Sequence, residues 1–434
     1  MRYMSDEIRR TGRFRMTAAS CGLAAIIAAA ACSSLLTVDA PGLVQSSALT
    51  DPAMAPILVS TALGEFECGY NQWVPTVGIL TGEYWDSNAI VDGNTWAALS
   101  FQINNMPGSC ANSITQTGFG FYAPFQTARY TIENAQSILS GFTVAQVPAL
   151  AEDLAELQAY DAYTYLLLGE GMCSMTINGG PMISRAQTFA IADSGFTKAL
   201  TLAAAAGDAD LTAMSYVGRA RTRLDEGNNA GAAAAAAQVP VNYLRNAAYS
   251  LAKLSRYNRM YVMTFTNLFI SVAPDYQNLT VNGVADPRVP VKNLAKLGPD
   301  NLTTMWQQQK YTGSGATPLP LASWKEAQLI LAETSTGQAQ ITAINNARSA
   351  QGVPAIVIPP GANMDSVVVE ERRRALFNEG ARLEDMLRKK ISFPAGQQNH
   401  KLAIYGPTTC VPLPLVETQN NPNFNGVTVP ITPF

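Results

Sequence analysis

Apolar residues recur three and four positions apart through most of this chain, and the segments with that spacing come in adjacent pairs. The clearest run over 121–140, 146–169, 195–206, 209–226, 241–258, 322–335, 338–351 and 365–390. Such spacing places the apolar side chains of each segment on one face of an α-helix. Breaks between partners are short: Gly207-Asp208 separates one pair and Thr336-Gly337 another. A helix with a single apolar stripe must bury it on a neighbour, and a two-residue break leaves the next helix beside it. Successive pairs then stack into a helical-repeat scaffold. The alanine-rich stretch 230–237 reads as a closely packed helix extension. Strand-like alternation is scarce, so the expected class is all-α: helix pairs with long irregular loops.

The chain of 434 residues could hold three domains of about 150 residues or one large one. At 47% apolar and 14% charged it lacks the composition of a disordered chain. A net charge of −3 leaves no excess of Lys and Arg to neutralise phosphates, which argues against nucleic acid as a partner. His400 is the single histidine. A Ser-His-Asp triad or a multi-histidine metal site would have to be built on it alone, and no metal or cofactor is expected.

The N-terminus carries Arg2, Arg9, Arg10, Arg13 and Arg15 ahead of an apolar, alanine-rich run that ends at Cys32. A basic head, a short apolar core and a small-residue exit make residues 1–31 a secretory signal peptide. The run falls short of the ~20 apolar residues of a membrane span. Ala29, Ala30 and Ala31 before Cys32 resemble a bacterial lipobox, with Ala29 where Leu is usual; the resemblance implies acylation of Cys32. Ordinary cleavage after the alanines, with Cys32 a bystander, is the alternative. Arg9-Arg10 leaves general and twin-arginine export both open. Removing residues 1–31 takes away five arginines and two acidic residues, which moves the net charge from −3 to −6. Such a chain gains nothing from an anionic membrane surface, so its attachment would be the lipid alone. Residues 32–48 read as a polar tether and 49–434 as the helical domain.

Cys68, Cys110, Cys173 and Cys410 remain, none at C-x-x-C spacing. Export favours oxidation, and four cysteines allow three pairings. Cys68 with Cys110 and Cys173 with Cys410 is the preferred set; free buried thiols are the alternative.

Two stretches, 64–120 and 274–320, are rich in Gly, Asn, Ser, Asp or Pro and read as loops, where binding surfaces usually form. Trp73, Trp85 and Trp96 fall in the first with Tyr84, beside Asp86 and Asn88; Trp306 and Tyr311 fall in the second. Sugar rings pack C–H faces on aromatic faces, and their hydroxyls need amide or carboxylate partners. These eight residues are therefore the candidate ligand-binding set, with Trp85 and Trp96 foremost. The bland reading is that the rings fill the core under long loops.

The pair at 195–226 resembles a tetratricopeptide repeat, with small Gly218 and Ala220 where helices pack closely. Residues 371–388, ERRRALFNEGARLEDMLR, are similar to the segment that marks the SusD/RagB family. Glu371, Arg372, Arg373, Leu376, Glu379, Gly380, Arg382, Asp385 and Arg388 match, while Ala375 and Met386 depart. Residues 321–333 and 343–354, with Asn345, Arg348 and Gly352, resemble the family's penultimate helix pair. Pro412, Pro414, Glu417, Asn421 and Pro422 resemble its closing segment, and Asp286-Pro287-Arg288 a feature ahead of the pair. The charges in 371–388 are expected to form a structural ion-pair lattice, including Glu379–Arg382 and Arg382–Asp385, with a ligand site the alternative; the resemblance implies that the glycan site lies elsewhere. Gly380 marks close packing or a helix break.

The resemblance implies a tetratricopeptide-like, SusD-like fold. It implies a cell-surface lipoprotein of the outer membrane, facing the exterior, that binds oligosaccharide or another nutrient. It implies delivery to a TonB-dependent (SusC-like) transporter and no catalysis. Family glycan sites are formed by loops, so no ligand residue carries over by motif. Two rivals come from other classes. A glycoside hydrolase needs only two carboxylates, for which Glu83, Asp86 and Asp92 are available. A periplasmic tetratricopeptide-type scaffold would bind proteins instead.

Overall fold

In the computed structural model, which describes residues 49–100, 108–110 and 118–432, the paired periodicity becomes a run of packed helices. These are α1 (Ala55–Leu80), α2 (Val91–Ala97), α3 (Tyr122–Leu139), α4 (Leu150–Gly171), α5 (Arg185–Ala206), α6 (Ala209–Asp225), α7 (Asn229–Ala236), α8 (Trp324–Thr334), α9 (Gly337–Ser349), α10 (Met364–Ala375) and α11 (Arg382–Arg388). The class is all-α and tetratricopeptide-like. Helices α3 to α9 pack each on the next, and α1 packs on α3. Residues 52–434 form one unit. Local chemistry sets the boundaries. Gly207 closes α5 at φ 73°, and the Asp208 carboxylate accepts from Leu211 N–H to open α6. Gly218 lets α6 approach α5 and α4: a methyl group there would overlap Phe196 and lie 2.9 Å from Tyr163 Cζ.

Several boundaries differ from the sequence expectation. The stretch 64–120 begins inside α1, a helix of 26 residues. From Phe66 to Leu80 every residue of α1 is buried. A helix buried all round carries no stripe, which is why the periodicity hides it. Helix α5 starts at Arg185, ten residues before the expected 195, on a capping box of Ser184 and Gln187. Residues 241–258 form no α-helix: Leu244–Ala247 pairs antiparallel with Leu319–Ser323, and only Leu254–Arg256 makes a 3-10 turn. The segment 365–390 splits into α10 and α11 around Asn378 and Gly380, at φ 64° and 74°. The strands form small two-stranded antiparallel pairs, among them Tyr84–Asp86 with Ile270–Val272 and Val291–Leu297 with Thr304–Gln308.

The C-terminal charges are a buried ion-pair lattice, as expected. Arg372 and Arg388 meet Asp385 at 2.8 and 2.6 Å, and Arg388 also pairs with Glu333. Glu371 joins Arg288 and Arg348, each at 2.6 Å. Arg221 of α6 reaches Glu170 of α4 and Glu326 of α8. The two pairs expected for Arg382 do not form. Glu379, displaced into the break, binds Lys310 and Lys325 instead, and Asp385 is taken by Arg372 and Arg388.

Both preferred disulfides form. Cys68–Cys110 ties α1 to the following segment, and Cys173–Cys410 ties the end of α4 to the C-terminal tail across 237 residues. Among the described residues no helix is long and apolar enough to cross a membrane. The signal peptide, Cys32 and the tether lie outside the described residues.

Candidate functional site

The strand Tyr84–Asp86 alternates faces. Tyr84 and Asp86 point inward and are buried, while Trp85 between them is half-buried. Trp85 lines a cleft of about 960 Å³ bounded by the end of α1, the 273–276 turn, α10, α11 and the segment 391–405.

The Trp85 ring lies parallel to the imidazole of His400, with centroids 4.4 Å apart and planes within 3°. His400 is fixed in turn. Its Nε2 donates to the Asp86 carbonyl at 2.8 Å and lies 3.0 Å from Thr303 Oγ1. A carbonyl can only accept, which puts the proton of the neutral ring on Nε2. Burial holds the imidazole below its ordinary pKa. The next residue, Lys401, bridges Asp86 Oδ2 at 2.5 Å, Asp300 at 3.1 Å and the Asn88 carbonyl at 2.6 Å. Burial pushes Asp86 up to about 6 against the pull of Lys401. This polar knot clamps the 391–405 segment to the strand that carries Trp85.

Phe393 and Tyr405, both half-buried, also line the cleft. On α10, Glu370 accepts from Arg373 and Arg374 at 2.6 Å each, which holds its carboxyl below the ordinary range despite burial. Arg373 lies over the buried Tyr276 ring, 4.6 Å from its centroid. Aromatic faces beside hydrogen-bonding groups are what a sugar needs.

Only part of the sequence-derived set meets here. Trp85 lines the cleft; so does Tyr84, but its ring is buried and stacked on Phe377 at 6.1 Å. Asp86 and Asn88 are buried in the Lys401 knot, where they serve structure. Trp73 is a core residue, edge-on to Phe121 at 4.8 Å. Trp96 and Tyr311 are core residues as well, 1% and 4% exposed, and neither has a face for a ligand. Trp306 is half-buried on the Thr304–Gln308 strand and does not line the cleft. The carboxyls named for a hydrolase fare similarly. Glu83 is fully buried, with its pKa pushed up to about 7 by burial, and neither it nor Asp86 lines the cleft.

His400, Phe393, Tyr405 and Arg373 were not among the expected ligand residues. The segment 391–406 has aromatics among Pro and Gly, much as 64–120 does, and that signal could have found Phe393, His400 and Tyr405, though not Arg373.

The chain matches no family model and no curated protein. Solved structures do match. A laminarin-binding SusD-like protein aligns at a TM-score of 0.63 and 14% identity over 83% of this chain and 96% of its own. Surface glycan-binding protein A from Bacteroides thetaiotaomicron aligns at 0.63 and 13%, over 85% and 97%. Its namesake from Bacteroides uniformis aligns at 0.62 and 13%, over 84% and 98%. The chain therefore has the SusD-like fold, the fold that the resemblance of residues 371–388 implies.

Proposed function

We propose that this chain, on its SusD-like fold, is a surface lipoprotein that captures an oligosaccharide in the cleft beside Trp85. The observation that carries the reading is the Trp85 ring, braced on one face by His400 and lining a cleft of about 960 Å³ with Phe393 and Tyr405. That volume lies in the range of small-molecule sites. The similar proteins named for laminarin or glycan binding support the same ligand class. Acylated Cys32 would hold the chain on the outer membrane facing the exterior, and a TonB-dependent transporter would receive the ligand.

The chemistry fits capture better than cleavage. A glycosidase acid needs a carboxyl with a raised pKa facing the sugar. Glu370 is held ionised by two arginines, and Glu83, whose pKa is raised, does not line the cleft.

Two experiments test the proposal. The chain without residues 1–32 is screened against immobilised polysaccharides and peptides; saturable binding of a glycan without release of reducing ends is expected. Preference for peptides, or glycan cleavage, would contradict it. For the anchor, Cys32→Ser should leave the membrane fraction, and equal retention of variant and wild type would reject acylation.

A further inference from the structure

We infer that capture in this cleft is reversed by acid: protonation of His400 undoes the stack that braces Trp85, and the glycan is released. The inference rests on the cleft being the binding site. His400 is seated for its neutral form alone. Its Nε2 donates to the Asp86 carbonyl at 2.8 Å, and its Nδ1 is buried with no hydrogen-bond partner among the described residues. A second proton would go to Nδ1 and create a buried donor that nothing accepts. The ring would have to turn to bring that N–H to water. In turning it would leave both the Asp86 carbonyl and the indole, whose centroid lies 4.4 Å away.

The charges around the ring add to this. Lys401, next in the chain, opposes a second cation. Asp300, on the turn that carries Thr303, favours one, but it is already engaged by Lys401 at 3.1 Å and by Thr303 Oγ1 at 2.6 Å. On the facing strand the Asp86 carboxyl, pushed up to about 6 by burial, loses its charge as acid is added and with it part of its hold on Lys401. Burial pushes Tyr405 upward, away from this range. One effect runs the other way: an imidazolium over an indole gains a cation–π attraction. That attraction gives the new N–H no acceptor, and burial already holds the imidazole below its ordinary pKa. Release follows from the position of His400 on the segment 391–405, whose Phe393 and Tyr405 line the same cleft. Loosening His400 and Lys401 together removes the brace of the platform and frees one wall beside it.

The test has two arms. In the first, NMR follows His400 in the ligand-free, untagged protein from pH 7.5 to pH 4.5. In the stack the imidazole protons lie over the indole and carry its ring-current shift, identified by comparison with Trp85→Ala. That shift should disappear as the ring titrates. Its persistence in the protonated ring would overturn the inference whatever the ligand. In the second arm, calorimetry over the same range uses uncharged polysaccharides, so that only the protein titrates: laminarin, dextran, amylopectin and galactomannan. A melting temperature at each pH checks that the protein is folded. Affinity should fall by about threefold to tenfold, the worth of one stacking platform, with its bend at the His400 midpoint. By reciprocity, saturating glycan should lower that midpoint by about half a unit to one unit. His400→Gln keeps a donor for the Asp86 carbonyl and does not titrate, so it should lose most of the fall. Should His400→Gln not fold, the midpoint shift in wild type decides. Affinity independent of pH, affinity that rises toward acid, or an equal fall in His400→Gln would overturn the inference and leave the proposed function standing. Absence of any glycan binding at pH 7.5 would remove both.

Discussion

Trp85 and His400 lie 315 positions apart, yet their rings are parallel at 4.4 Å. The strand Tyr84–Asp86 presents the indole, and the Asp86 carbonyl orients the imidazole that braces it. One short strand thus both supplies the aromatic platform and fixes its support.

Because His400 is the only histidine, its titration can be followed without assignment in untagged protein. Burial lowers its pKa, so the folded state favours the neutral ring. The stability this contributes is present above the unfolded value of about 6.5 and is lost as pH falls below it. NMR of the imidazole should give a midpoint below 6.5 in the folded protein. A midpoint at or above 6.5 would contradict the buried, Nε2-donating ring.

Glu83 should show the opposite slope. Its folded pKa of about 7 lies above the ordinary carboxyl value, so its contribution is favourable at low pH and is lost as pH rises toward 7. Glu83→Gln keeps an acceptor for Asn378 N–H and removes the charge. The variant should match wild type near pH 5 and exceed it at pH 8 by on the order of 2–3 kcal/mol in denaturant titrations. An equal difference at both pH values would show that Glu83 keeps an ordinary pKa.

Gly380 carries two constraints at once. Its φ is 74°, and a methyl group there would lie 2.6 Å from Trp73 Cδ1. Its carbonyl also accepts from Trp73 Nε1 at 3.1 Å. Gly380→Ala should cost about 2–4 kcal/mol from backbone strain and overpacking together. A melting temperature within a degree or two of wild type would mean that the break between α10 and α11 does not depend on this contact.

The legible and illegible parts of the fold separate on physical grounds. Helices α3, α6, α8 and α9 are readable because each buries one apolar face, and α4 because its exposed first turns keep that spacing although Leu157 to Gly171 are all buried. Helix α1 is not, because Phe66 to Leu80 are all buried and include Gly69, Asn71, Pro75 and Gly78, which read as loop residues. The break at Gly380 was one of two readings of that glycine, and it carries close packing as well. At the site, composition found Trp85 but gave Trp96 the same weight and kept Trp73 in the set. Only the strand's alternation and the burial of α1 and α2 tell a cleft ring from a core ring. His400, Phe393 and Tyr405 could not be joined to Trp85 from sequence, because long-range pairing leaves no local pattern.

The most direct test is calorimetric binding of the bound glycan to wild type, Trp85→Ala and Trp96→Ala, each paired with a melting temperature. Trp85→Ala should lose affinity by a few-fold to about tenfold, the worth of one stacking platform, with little change in melting. Trp96→Ala should instead melt far earlier, since removing a core tryptophan costs ~3–5 kcal/mol. Its affinity where still folded should be near wild type. Unchanged affinity in Trp85→Ala, with the protein folded, would contradict the account that the cleft beside His400 is where the sugar binds.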